Sequence, residues 1–187
     1  MTPILPYLTT QLEQARAILF TGAGFSASAS NIAGEPIPSA SRLKEELWRL
    51  CFPDSPVDPE SNLQTVYEAA ILRQAGKVKE LLTRLLSIDG TKVPTCYRHY
   101  FVLPWHKCYT LNIDNLASQL GCTTWLPRKI ECVSATRDVL AKPASDKDVL
   151  RVVHLNGTIQ DLPRDVTFSV TQYAERLARE EPLYTQF

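Results

Sequence analysis

Ala17-Ile18-Leu19-Phe20-Thr21-Gly22-Ala23-Gly24-Phe25-Ser26-Ala27 is the stretch that decides the fold. Its short, continuous apolar run reads as a buried strand of a parallel sheet. Gly22 and Gly24 end the run in the pattern G-x-G-x-x-[GA]. Such glycines allow a tight turn and a close approach of backbone to phosphate, and the helix start that follows offers free N–H groups. Alone, the pattern fits equally well a turn that merely needs glycines. Two more segments follow strand-like runs. They are Thr110-Leu111-Asn112-Ile113-Asp114, after Lys107-Cys108-Tyr109, and His154-Leu155-Asn156-Gly157, after Val149 to Val153. All three should lie at the C-terminal ends of their strands, the edge where open α/β sheets bind ligands.

Outward from these anchors the chain alternates helix and strand. Leu5, Leu8, Leu12 and Ala15 predict a helix over 6–16. Gly34, Pro36 and Pro38 mark 31–41 as a loop. Leu43, Leu47 and Leu50 predict a helix that stops before Pro53, and two more are expected over 63–73 and 78–86. The span 42–86 is therefore a helical insertion after the first βα unit. Pro94 opens another helix, ending near Leu103-Pro104. Residues 114–120 should form a short helix with Gly121 at its C′ position. Residues 129–133 read as a weaker strand and 148–155 as a stronger one. This order predicts one α/β domain over 1–187, a three-layer Rossmann-like parallel sheet with a helical insertion.

Composition narrows the function classes. Of 187 residues 44% are hydrophobic, enough to fill a core, and 20 Lys plus Arg balance 20 Asp plus Glu. Zero net charge argues against direct nucleic-acid or membrane-surface binding. No apolar run is long enough to span a bilayer, and residues 1–10 do not read as a signal peptide. The five cysteines (Cys51, Cys96, Cys108, Cys122 and Cys132) form no C-x-x-C pair, so no zinc ribbon is expected. They read as buried, reduced core residues of a cytoplasmic protein.

The side chains at the three strand ends carry the chemistry. Asn112 offers a donor and an acceptor, suited to ribose hydroxyls or a bound water. Asp114 offers acceptors, or it closes an Asx-turn that caps the helix after it. His154 and Asn156 are two apart, so on a strand they share a face and both can line one site. A strand histidine is also commonly structural. His99 falls in a predicted helix and reads as structural, and His106 has no comparable context. The dehydrogenase fingerprint lacks its acidic residue about 20 positions on, because Leu43-Lys44-Glu45-Glu46-Leu47 is helical there. Hydride transfer is thus disfavoured.

Gly-Ala-Gly-x-Ser, then Thr-x-Asn-x-Asp, then a His/Gly element on a later strand resembles the sirtuin fold, over about 17–157. His99 also matches a helix position common in that family. Three departures matter. The four-cysteine zinc module of sirtuin deacylases has no counterpart in 158–187, which holds no cysteine. Gly34-Glu35-Pro36-Ile37-Pro38-Ser39 keeps only the general character of the family's Gly-Ile-Pro-Asp-Phe-Arg loop. Finally, Asn156 stands immediately before Gly157, where the family usually places histidine, and His154 lies about 6–7 Å earlier along the strand. The first two departures, the helical insertion and Thr171-Gln172-Tyr173 in a helix after the His/Gly strand are similar to the zinc-free branch that serves as bacterial immune effectors.

The resemblance implies an NAD+ hydrolase that releases nicotinamide and ADP-ribose, the effector domain of an antiviral defence system. NAD+ is then substrate, and no zinc or other metal is implied. Gly22, Ala23, Gly24, Phe25 and Ser26 would hold the pyrophosphate. Asn112, Asp114, Asn156 and Gly157 would complete the NAD+ site, with Asn112 and His154 catalytic and His154 the general base. The resemblance also implies an adenine-side loop after Phe168 that this stretch does not supply, so the chain reads as C-terminally incomplete. A regulatory sensor, ATPase or nucleic-acid-guided module is the expected partner, with an oligomer as the active state. A non-catalytic NAD or ADP-ribose sensor and a protein deacylase are the alternatives.

Overall fold

The computed structural model describes residues 4–122, 125–136 and 148–178. Four strands, β1 (Ile18–Thr21), β2 (Lys107–Thr110), β3 (Lys129–Ser134) and β4 (Val149–His154), form one sheet in the order β1-β2-β4-β3. Every pairing is parallel. The helices are α1 (Ile4–Glu13), α2 (Ala40–Cys51), α3 (Leu63–Leu86), α4 (Cys96–Phe101), α5 (Leu116–Gly121) and α6 (Val170–Ala178). The expected α/β class and the parallel sheet flanked by helices are both present.

Register explains how the three motifs meet. Leu19, Cys108, Val152 and Cys132 are aligned across the sheet. Two residues on, Thr21, Thr110, His154 and Ser134 are aligned at its C-terminal edge. Side chains two apart share a face, so an apolar row ends in a polar one. The apolar row packs with Tyr97 and Phe101 of α4 and with Leu116, Ala117 and Leu120 of α5. Tyr109, Val133 and Val153 form a smaller cluster with Ala135 and Leu155 on the alternate positions.

The insertion has its own core. Leu43 and Leu47 of α2 pack on Val66, Tyr67, Ala70, Val78 and Leu82 of α3, and Ile113, Leu162 and Val166 join them. Ser39 and Asn62 cap the two helices through their side chains. The two helices expected over 63–73 and 78–86 are joined as α3, with a kink at Gln74 (φ −149°, ψ 50°). Gln74 Nε2 donates to the Leu50 carbonyl at 3.0 Å, which ties the break to the end of α2. Because Ile113 follows β2, this core is anchored to the same edge as the motifs.

Several expectations need correction. Among the described residues β1 is an edge strand, and Ile18 and Phe20 are 52% and 48% exposed. An unbroken apolar run therefore did not mean burial on both faces. The N-terminal helix ends at Glu13, because Ala15 takes a positive φ of 50°. Gly121 is the last residue of α5 rather than its C′ residue, and its φ is not positive. Its role is packing, since a Cβ there would lie 3.2 Å from Ile130 Cβ on β3. Cys51 and Cys108 are buried and Cys132 is half-buried, but Cys96 and Cys122 are exposed, and all five are free thiols. His99 is exposed on α4 rather than packed into the core.

Candidate functional site

The glycine loop leaves β1 as a single 3-10 turn, Ala23–Ser26, in place of the expected helix start. Neither Gly22 nor Gly24 has a positive φ, and a Cβ at either would meet nothing within 4 Å. The fold does not require glycine at these positions, so both leave open space above the backbone. Phe25 anchors the loop. Its ring meets Tyr97 and Tyr100 edge-on at 5.3 Å, and its carbonyl accepts from Tyr97 Oη at 2.7 Å.

Ser26 is buried and connects the first motif to the second, with Asn112 Nδ2 donating to its Oγ at 2.9 Å. Asn112 N–H in turn donates to Thr110 Oγ1 at 3.0 Å. Asp114 is 6% exposed, and its Oδ1 accepts from Leu116 N–H at 3.0 Å. The Asx-turn therefore exists alongside any other role. Burial raises the Asp114 carboxyl above its ordinary 3.8, opposed by hydrogen bonds from Ser26 and Leu116, by the nearby His154 and by Asn112.

His154 completes the group from β4. It is 3% exposed, and Nδ1 lies 2.8 Å from the Asn112 carbonyl oxygen. A carbonyl only accepts, so Nδ1 is the donor and the neutral ring keeps its lone pair on Nε2. Burial lowers the His154 pKa below its ordinary 6.5, against the Asn112 bond and the Asp114 and Asp161 charges. Asn156 does not share this environment. β4 ends at His154, and Asn156 lies in the turn beyond it, with Nδ2 donating to the Leu111 carbonyl at 3.0 Å. The expectation that the two side chains share a strand face fails because the strand stops between them.

Two cavities follow from this division. One of about 20 Å³ is lined by Thr21, Phe25, Ser26, Asn112, Asp114 and His154 among others. Its size suits about one water molecule, with Thr21, Ser26, Asn112, Asp114 and His154 as the polar groups in an otherwise apolar lining. The other, about 240 Å³, is walled by Ala23, Leu43, Leu63, Leu111, Asn156 and Phe168 among others. Asn112 and Asp114 line both. His154 opens only on the first and Asn156 only on the second.

Gly157 lines neither cavity. Its φ is +83°, and a Cβ would come within 3.0 Å of the Asp165 carbonyl oxygen, so the fold itself accounts for glycine there.

Two contributors were not singled out from the sequence. Asn31 is fully buried, and its Oδ1 accepts from Ala33 and Glu35 N–H, both at 3.0 Å, which shapes the loop bearing Ile37 and Pro38. Asn three residues before Gly34 is a turn signal that could have found it. Thr167 lines the larger cavity, and its Oγ1 is buried with no hydrogen-bond partner. A buried unsatisfied hydroxyl costs about 1–3 kcal/mol. No local pattern marks that position.

Among the described residues, no group of three or more His, Cys, Asp or Glu side chains is placed to hold a metal ion, and no helix is long and apolar enough to cross a membrane. Neither the protein-family models nor the curated proteins include a match to this chain.

Proposed function

We propose that this chain hydrolyses the N-glycosidic bond of NAD+ on a sirtuin-like scaffold. One observation carries the reading. Ser26, Asn112, Asp114 and His154 converge from three strand ends beside a cavity whose wall includes the glycine loop. In this reading the nicotinamide ribose occupies the 240 Å³ cavity, and the pyrophosphate crosses Gly22, Ala23 and Gly24. The cavity falls below the roughly 300–1,000 Å³ of sites that enclose a whole drug-sized ligand. That suits one end of a dinucleotide, with the rest lying over the open loop.

The chemistry then divides among these residues. The bond from C1′ to the pyridinium nitrogen breaks, and its electron pair leaves with neutral nicotinamide. The positive charge left on the ribose is stabilised by the Asp114 carboxylate. With Nδ2 given to Ser26, Asn112 has Oδ1 available to orient a ribose hydroxyl or the attacking water. Water adds to C1′ and loses a proton, and His154 Nε2 is the acceptor this reading assigns. Its lowered pKa keeps the ring neutral and able to accept at neutral pH.

A second reading, an NAD or ADP-ribose sensor without turnover, is favoured by the burial of His154 and its bond to backbone. A histidine held in that way also serves as a strut. The cellular setting in either case, a cytoplasmic antiviral effector governed by a sensor, ATPase or nucleic-acid-guided partner and active as an oligomer, rests on the sirtuin-like resemblance. Incubating the full chain with NAD+ separates the outcomes. Equimolar nicotinamide and ADP-ribose support hydrolysis. Bound but intact NAD+ supports the sensor, and neither binding nor cleavage overturns both.

A further inference from the structure

We infer that Thr167 is a ligand-recognition residue of the larger cavity and that its hydroxyl pairs with a sugar hydroxyl of a ribose-bearing ligand. This inference rests on the NAD+ reading of that cavity.

Three observations meet at Thr167. It lines the 240 Å³ cavity, in the company of Asn156 and Phe168. Its Oγ1 is buried and lacks a hydrogen-bond partner. Its backbone, in contrast, is firmly held. Thr167 N–H donates to the Asn156 carbonyl at 2.9 Å, and the N–H groups of Phe168 and Ser169 donate to Gln172 Oε1 at 2.8 and 3.0 Å. The Phe168 ring packs on Tyr67 at 4.8 Å, and the Tyr67 hydroxyl donates to the Pro163 carbonyl. The insertion thereby fixes the segment from both sides.

A threonine that served only to pack this wall would be matched by valine, which has the same shape and no polar atom to strand. A hydroxyl left unsatisfied on a rigid backbone beside a cavity is what a ligand-dependent hydrogen bond leaves behind in the free protein. The bond forms by rotation about χ1, which carries Oγ1 to another staggered position, on the cavity side. Other polar residues of the cavity each make a bond within the protein. Asn112 is bonded to Ser26, Asp114 to Leu116 and Asn156 to Leu111. The rest of the wall is mostly apolar, including Leu43, Leu63, Leu86 and Phe168. A ligand with an apolar ring and a neighbouring sugar hydroxyl fits this distribution, because the hydroxyl both donates and accepts, as Thr167 does.

The test compares the full chain with Thr167→Val and Thr167→Ser, read by calorimetric NAD+ binding and by ligand-free melting. Thr167→Val should melt at the same temperature as wild type or higher, because it removes an unsatisfied polar atom. The same variant should bind NAD+ about tenfold more weakly. Thr167→Ser should keep affinity within about threefold, since it keeps the hydroxyl. Equal NAD+ affinity for wild type and Thr167→Val overturns the inference while leaving the NAD+ reading intact. A wild-type chain that binds no NAD+ overturns both.

Discussion

The two cavities that share Asn112 and Asp114 are built from different materials. The smaller is lined by the strand ends, the glycine loop, α4 and α5, and it sets Thr21, Ser26, Asn112, Asp114 and His154 among apolar side chains such as Phe101 and Val152. The larger is walled by the insertion, the loop around Ile37 and Pro38, the segment after β2 and the segment around Phe168, and most of those side chains are apolar. The difference teaches that chemistry and capacity have separate origins here. The parallel register brings reactive groups to one edge, whereas the insertion and the loops around it enclose the volume beside that edge. Changes confined to the small cavity should therefore alter turnover. Changes confined to the large one should alter binding, and changes to the shared wall should alter both.

The largest expected effect is at His154, which belongs to the small cavity alone. Asparagine sets its Nδ2 near the position of the imidazole Nδ1, so His154→Asn keeps a donor for the Asn112 carbonyl and removes Nε2. Turnover should fall by about 10²- to 10⁴-fold, the usual contribution of a general base, with little change in KM. Steady-state release of nicotinamide measures both. Full activity in a folded His154→Asn protein would make the histidine a strut and leave the hydrolysis without the general base assigned here.

The same residue has a pH signature. Its folded pKa lies below the ordinary 6.5, so the neutral ring is favoured by folding. Its contribution to stability is complete above 6.5 and is lost as pH falls toward the folded pKa. Asp114 acts in the opposite sense. Its folded pKa lies above 3.8, so its contribution is complete below that value and is lost as pH rises through the folded pKa. Melting curves from pH 7.5 down to 5 should show a decline that His154→Asn flattens. An identical decline in wild type and variant would remove His154 as its source.

Asn112 forms the shared wall, so its loss should register in both quantities. Asn112→Ala should lower kcat by about 10²-fold, as removal of a transition-state contact does, and should raise KM as well. Stability should drop by only about 1 kcal/mol for the hydrogen bond to Ser26. A change in KM alone would confine Asn112 to binding. Loss of cooperative melting would make it structural.

How much of this was legible beforehand follows from which forces are local. The strand ends at Thr21 and Thr110 were legible because an apolar run followed by glycine or by Asx is a local signal. The break near Gln74 belongs to the same class, since two helices were expected over 63–73 and 78–86. The fate of Asn156 was not legible, because it depends on β4 ending one residue after Val153, and that is decided by pairing with β2 and β3. The exposure of Ile18 and Phe20 depends on strand order, which no single strand encodes. Gly157 and Gly121 looked like a ligand contact and a helix cap. Both answer to distant neighbours instead, Asp165 and Ile130. Thr167 was invisible for the same reason, since its significance lies in a missing partner rather than in a pattern.

The smallest effect tests whether the glycine loop belongs with the chemistry or with the binding. Gly24 has ordinary backbone geometry, and a Cβ built on it meets nothing within 4 Å. In the free protein Gly24→Ala is therefore harmless, and the lost backbone freedom of the unfolded chain favours the variant by about 0.4–1 kcal/mol. A pyrophosphate lying against the loop would meet the added methyl directly. The expected outcome is an unchanged or slightly raised melting temperature together with NAD+ affinity weakened by several-fold, about 1 kcal/mol. Nicotinamide alone, which has no phosphate to seat, should bind both proteins equally. Unchanged NAD+ affinity would mean that the dinucleotide leaves the larger cavity by another route, with the glycines marking only a turn. Weakened binding of nicotinamide as well would mean that the loop shapes the cavity itself, joining through Ala23 the apolar wall that the insertion provides.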